Sequence, residues 1–174
     1  LVSKMRDIAT QGDAHRFRTN ATEVGFLLAY EANKSNETRS KSIRTPLGIA
    51  EHELDSQLTL LLNILRGANP MVEGAQRIYR QAPVGFVDAK RYGTPNPDGT
   101  MPIKINYQNI PLDSFEGVDL VIPDIMLATG SSLVDTVNQL QNQYGGSAKI
   151  HVLSCIGAKD GADYVLDKLP NSRV

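Results

Sequence analysis

Cysteine is nearly missing from this chain, with a single residue, Cys155, among 174. One cysteine makes no internal disulfide, which excludes a disulfide-stapled secreted scaffold and points to a reducing, cytoplasmic setting. It lies in an apolar run and reads as a small buried hydrophobe. An excess of charge is missing too. The formal net charge is −1 and the pI is about 6.3, so general electrostatics draws in neither nucleic acid nor an anionic membrane. Any anion must therefore meet a local site. No apolar run approaches the roughly 20 residues of a membrane helix, and the start shows no signal-peptide pattern. The three histidines, His15, His52 and His151, match no zinc spacing. There is no internal repeat and no low-complexity tract.

What is present reads as one ordinary globular domain over residues 1–174, with 41% hydrophobic and 21% charged residues. Phe17, Ala21, Val24 and Leu28 recur at helical spacing and predict a helix over 16–33, with Leu27 and Ala32 widening its stripe. Residues 34–56 are polar and read as irregular, with Pro46 and Gly48 breaking any long element. The apolar run 58–65 suits a strand buried on both faces, with a helix segment as the alternative. A tight loop, Arg66-Gly67-Ala68-Asn69-Pro70, leads into a helix over 70–81 and then a short strand over 84–88. Residues 89–102 hold three prolines and two glycines. Their turn, Asn96-Pro97-Asp98-Gly99, predicts a protruding β-hairpin between Lys90-Arg91-Tyr92 and Ile103-Lys104-Ile105-Asn106-Tyr107.

The densest signal follows. A β-rich run over 118–122 enters a loop, 124–132, and then a helix to about Tyr144, with Ser132 and Asp135 spaced as a capping box. Gly145-Gly146 ends that helix. A strand over 149–156 and a helix over 160–169 come next, and the pattern calls for another strand after Pro170. Alternation of this kind implies an α/β fold of three layers, a mostly parallel sheet with helices on both faces.

The loop reads in one of two ways, as a Ser/Thr-rich helix cap with a solvated Asp or as a phosphate site. Ala128-Thr129-Gly130-Ser131-Ser132 offers small residues, three hydroxyls and a helix start, the composition with which backbone N–H groups converge on a phosphate. It also sits at the carboxyl end of a strand, where open α/β sheets bind ligands. Asp124 at the loop's start repels phosphate but accepts hydrogen bonds from ribose hydroxyls or holds a metal that bridges to phosphate. Ribose and phosphate together explain it better than phosphate alone. The loop lacks the Gly-Lys-Ser/Thr ending of a nucleoside-triphosphate P-loop.

Val121-Ile122-Pro123-Asp124-Ile125-Met126-Leu127-Ala128-Thr129-Gly130-Ser131-Ser132 resembles the loop with which type I phosphoribosyltransferases bind phosphoribosyl pyrophosphate (PRPP), and specifically the uracil branch. Met5-Arg6-Asp7-Ile8-Ala9-Thr10, Arg16-Phe17-Arg18 and the stretch from Glu23 to Ala32 are similar to that family's N-terminal helix region. Asn63-Ile64-Leu65-Arg66-Gly67-Ala68-Asn69-Pro70-Met71 resembles its pyrophosphate loop, and Lys90-Arg91 falls where it carries another PRPP-binding arginine.

The resemblance implies transfer of the phosphoribosyl group of PRPP to uracil with Mg²⁺, giving UMP and pyrophosphate in pyrimidine salvage. It implies catalytic roles for Arg66 and Asp124. It implies PRPP contacts at Arg66, Gly67, Arg91, Asp124, Met126, Leu127, Ala128, Thr129, Gly130, Ser131 and Ser132, with Mg²⁺ held through PRPP and by no side chain directly. A dimer or larger homo-oligomer and GTP as an effector belong to the same expectation. So does a later base-binding segment, with a Gly-Leu-Gly-Asp-Ala-Gly-like motif, beyond the 174 residues. Two alternatives stay open from the sequence: a relative using another base, and a nucleotide- or RNA-binding regulator of the same fold without turnover. Departures from the family pattern fall at Gly67-Ala68-Asn69-Pro70, Tyr92-Gly93-Thr94 and Ser131.

Overall fold

A computed structural model describes residues 1–10, 12–94 and 101–174, together with the backbone but not the side chain of Asp55. Eight strands and five helices follow one another among them: α1 (Val2–Arg6), α2 (Ala14–Asn33), β1 (Thr38–Thr45), β2 (Gly48–Asp55), β3 (Leu58–Ile64), α3 (Asn69–Gln76), β4 (Val84–Arg91), β5 (Ile103–Asn109), β6 (Val118–Leu127), α4 (Ser131–Tyr144), β7 (Lys149–Gly157), α5 (Lys159–Lys168) and β8 (Ser172–Arg173). Six strands form one sheet in the order β5-β4-β3-β6-β7-β8. Its pairs are parallel except β4–β5, which is antiparallel at the edge.

Alternation along the central strands sorts the core into two layers. Leu60 and Leu62 of β3 and Leu120 and Ile122 of β6 face Leu133, Val137 and Leu140 of α4 and Val165 of α5. Leu61 and Val121 face the opposite way, with Ala29 of α2 and Ala75 of α3. Both faces of β3 are thus apolar, as its unbroken run requires, and each fully buried leucine contributes about 1.5–3 kcal/mol. Helices α2 and α3 approach each other through glycine: a Cβ on Gly25 would collide with the Met71 backbone, and one on Gly74 with the Thr22 carbonyl. Cys155 is half-buried, its Sγ 3.9 Å from Met5 Sδ, and burial pushes its thiol pKa up. Among the described residues no helix is long and apolar enough to cross a membrane.

Four expectations change. Residues 34–56 are not irregular: β1 and β2 pair from Thr38↔Asp55 to Thr45↔Gly48 as a separate two-stranded hairpin. Pro46 and Leu47 make its turn, and Gly48 opens β2 instead of breaking an element. Helix α3 stops at Gln76, and turns carry the chain to Gln81. His15 lies inside the first turn of α2, not before it. The expected hairpin at 89–107 is present as the antiparallel pairing of β4 with β5 out to Arg91↔Ile103, and its tip, Asn96-Pro97-Asp98-Gly99, lies outside the described residues.

The fourth change concerns β6. It runs on to Leu127, so Asp124 is a strand residue paired with Ser154 and not the first residue of a loop. Pro123 is tolerated because β3 pairs with β6 only up to Leu61↔Val121. Beyond that point β6 ladders with β7 alone, so the missing N–H falls where β3 has already diverged.

Candidate functional site

Divergence of β3 from β6 opens a cleft at the carboxyl ends of the strands. The sheet order places it at the switch point: after β3 the chain turns through α3 on one face toward β4, and after β6 through α4 on the other face toward β7. The cleft has a volume of about 280 Å³. Ile64, Leu65, Gly67 and Ala68 line one wall; Pro123, Asp124, Met126 and Ser132 line the other.

The wall beyond β3 is the loop 65–68. Leu65 N–H donates to Val87 O at 2.8 Å, fixing its start to β4. The N–H groups of Arg66, Gly67 and Ala68 donate to no acceptor among the described residues, which leaves three donors for an anion. Arg66 is exposed and has no ion-pair partner among the described residues. Helix α3 adds little here, since Ala68 caps it without a side-chain bond and Pro70 has no N–H to give.

The wall beyond β6 is built differently. Gly130 is the N-cap of α4 with φ +74°, in the left-handed region that glycine enters without strain. A Cβ there would lie 2.8 Å from Gly161 O and 2.9 Å from Val165 Cγ2, so α5 can pack directly beneath the loop. No side chain caps α4. The expected capping box of Ser132 and Asp135 does not form, because the helix starts one residue earlier and Ser132 lies inside its first turn. The N–H groups of Ser131, Ser132 and Leu133 are therefore open to an anion, at the positive end of a 14-residue helix. Thr129 Oγ1 and Ser131 Oγ share a hydrogen bond of 3.0 Å, so one of those two hydroxyl protons is already used. Ala128 and Met126 are exposed, while Leu127 packs its side chain in the core and offers the loop only its backbone.

Asp124 lies between the two walls. Its Oδ1 accepts from Met126 N–H at 3.3 Å. Burial pushes its carboxyl above the ordinary 3.8, opposed by backbone hydrogen bonds from Met126 and Ile125. Arg91, at the end of β4, donates from Nε to Ser132 Oγ at 2.8 Å. The sequence placed Arg91 at the base of a hairpin and Ser132 in the loop after β6; in the structure they touch.

Of the eleven expected residues, Gly67, Asp124, Met126 and Ser132 line the cleft, Arg91 reaches it through Ser132, Arg66, Ala128, Thr129, Gly130 and Ser131 lie beside these in the chain, and Leu127 is set back in the core. Sequence reasoning missed Thr136, Ala89 and Leu133 on the lining, and the side chain of Asn63, which lies 4% exposed beneath the first loop. Its Nδ2 donates to Asn69 Oδ1 at 3.0 Å. An asparagine between Leu60-Leu61-Leu62 and Ile64-Leu65 was the available signal.

The arrangement sets free N–H donors on both walls of the cleft with one carboxylate between them. A family model described as uracil phosphoribosyltransferase matches residues 1–174. Uracil phosphoribosyltransferase from Porphyromonas gingivalis (strain ATCC 33277) is 31% identical over 172 residues, 99% of this chain and 77% of that protein. The enzyme of that name from Methanothermobacter thermautotrophicus is 30% identical over 168 residues, 95% and 75% of the two chains. Among solved structures, the AQ2163 protein from Aquifex aeolicus aligns with a TM-score of 0.76 and 28% identity, over 91% of this chain and 73% of that one. A hypoxanthine phosphoribosyltransferase from Staphylococcus aureus aligns at TM-score 0.54 and 16% identity over 82% and 75%, a likeness of fold alone.

Proposed function

This chain belongs to the uracil phosphoribosyltransferase family, and on that premise we propose that it transfers the phosphoribosyl group of PRPP to uracil, giving UMP and pyrophosphate. The observation that carries the proposal is the pair of donor-rich loops facing each other across one cleft with a carboxylate between them. Bond breaking at C1 of the ribose leaves its electron pair on pyrophosphate. A uracil ring nitrogen forms the new bond to C1, and that nitrogen's proton leaves to solvent.

Each residue has a stated part. Arg66 and the free N–H groups of Arg66, Gly67 and Ala68 hold the leaving pyrophosphate and stabilise the charge that grows on it. The N–H groups at the start of α4, with Thr129 and Ser131, hold the 5′-phosphate. Asp124 accepts from the ribose hydroxyls and so fixes C1 for attack. Arg91 exchanges Ser132 for substrate oxygens when PRPP enters. Gly130 keeps the second loop tight, and Met126 and Ala128 shape the cleft rim.

Mg²⁺ enters this reading with PRPP. The cleft offers such an ion one carboxylate, Asp124, among the residues that line it. Bound there, the ion offsets negative charge on the departing pyrophosphate. A homodimer or larger homo-oligomer is part of the proposal, supported by the β1–β2 hairpin. There Leu47 and Ile49 stand 101% and 79% exposed, apolar surface that a second copy would cover. A cytoplasmic setting rests on the single cysteine, and GTP as an effector rests on the family resemblance alone.

The test is UMP formation from labelled uracil, PRPP and Mg²⁺, with Asp124→Asn and Arg66→Ala proteins alongside. Turnover by the wild type and its loss in both variants supports the reading. PRPP binding with no UMP formed would remove the assignment of uracil as the acceptor.

A further inference from the structure

Asn63 is out of place by every rule of its strand. It follows Leu60, Leu61 and Leu62, all fully buried, and is itself 4% exposed. Its Oδ1 is buried and has no partner among the described residues. A buried acceptor without a partner costs about 1–3 kcal/mol, and an apolar side chain of similar volume would avoid that cost. Such groups persist where something other than stability holds them.

The other end of the amide shows what it does. Asn63 Nδ2 donates to Asn69 Oδ1 at 3.0 Å. Asn63 is one residue from the end of β3, and Asn69 is the first residue of α3. The bond therefore crosses the base of the loop 65–68. Leu65 N–H donating to Val87 O at 2.8 Å ties down the loop's start, and Asn69 N–H donating to Arg66 O at 3.3 Å closes its end. Between these ties lie the three residues whose N–H groups are free. With Ala68 giving no side-chain cap and Pro70 no N–H, the start of α3 does not itself fix that end of the loop.

We infer that the Asn63–Asn69 amide pair is a positioning device for the pyrophosphate-binding loop, holding the N–H groups of Arg66, Gly67 and Ala68 aimed into the cleft. The inference rests on the proposed PRPP reading and adds residues to it. Neither asparagine side chain touches substrate in this account; both act through the loop backbone. The pair is spent on pre-organisation, so its loss weakens one half of PRPP and spares the other.

The experiment compares the wild type with Asn63→Leu, Asn69→Ala and the double variant. Asn63→Leu keeps the branched shape and removes the orphan acceptor; Asn69→Ala removes the same bond from an exposed position, so folding is kept on at least one route. Binding of inorganic pyrophosphate and of ribose 5-phosphate is measured separately by calorimetry with Mg²⁺, together with KM for PRPP and for uracil. The expected result is pyrophosphate affinity weakened roughly fivefold to tenfold, the net worth of one hydrogen bond, with KM for PRPP raised in step. Ribose 5-phosphate binding and KM for uracil stay unchanged, and the double variant is no worse than either single one, as two members of one bond require. Equal loss of both ligands would mean a general structural role and overturn the inference. So would wild-type pyrophosphate affinity in both single variants, which leaves the PRPP reading standing. If the wild type binds neither pyrophosphate nor PRPP, the PRPP reading itself falls and takes the inference with it.

Discussion

The two loops that face each other across the cleft solve one problem by different means. After β6, the chain uses a left-handed glycine and an uncapped 14-residue helix, so the donors of α4 point outward and the positive end of its dipole comes with them. After β3, the helix is short, begins with Asn69-Pro70 and offers no such end. The loop there relies on its own backbone N–H groups, on Arg66 and on an amide pin from below. The comparison teaches that an α/β crossover does not dictate one kind of anion site. A helix N-terminus suits a phosphate that stays bound through the reaction. A pinned loop with an unpaired cation suits a group that must leave.

The sharpest way to break this comparison is to remove the charge it assigns to each part. Arg66→Ala and Asp124→Asn should each lower kcat/KM for PRPP on the order of 10²–10³-fold, as loss of one pre-organised charge-stabilising group does. Steady-state UMP formation checks this. Next in size is Gly130→Ala. A side chain at φ +74° that also meets Gly161 O and Val165 Cγ2 should destabilise the protein by about 1–3 kcal/mol. It should also weaken ribose 5-phosphate binding, which urea denaturation and calorimetry read separately. Smaller is the effect of Ser132→Ala. The Ser132–Arg91 bond is exposed, so stability should move by no more than about 0.5 kcal/mol, while KM for PRPP changes through the freed Arg91. Unchanged kinetics would detach that bond from substrate binding.

The carboxylate between the loops gives a pH signature. On the proposed reading Asp124 accepts ribose hydroxyls most strongly when ionised, and burial holds its carboxyl above the ordinary 3.8. The acid limb of kcat/KM for PRPP should therefore lie above the usual carboxylate range, and Asp124→Asn should lack that limb. For stability the sign is opposite to that of a salt-bridged carboxylate. The folded state holds the proton more tightly than the unfolded one, so this group's contribution declines as pH rises from 3.8 through the folded value and is constant beyond. Denaturation midpoints of wild type and Asp124→Asn across that window check it.

Much of this was legible in the residues, and the reasons differ by element. Helices α2, α4 and α5 and strands β3 and β7 announced themselves because one or both faces are apolar. The Ala128-Thr129-Gly130-Ser131-Ser132 run was legible because phosphate chemistry needs small residues ahead of a helix. Strands β1 and β2 were not legible: β1 is exposed along nearly its whole length, so no burial imprinted an alternation on Thr38–Thr45. The extension of β6 through Pro123 was hidden because its ladder on the β3 side ends at Val121, a fact of register that no local pattern carries. The Asn63–Asn69 bond was hidden for a similar reason, since only the fold brings the strand end beside the helix start.

One measurement bears most directly on the division of labour between the loops: binding of pyrophosphate and of ribose 5-phosphate, the two halves of PRPP, to wild type, Arg66→Ala and Gly130→Ala. The account predicts a crossed pattern. Arg66→Ala should lose pyrophosphate and keep ribose 5-phosphate, and Gly130→Ala should do the reverse. Parallel loss of both ligands in both variants, or loss of ribose 5-phosphate in Arg66→Ala alone, would contradict it.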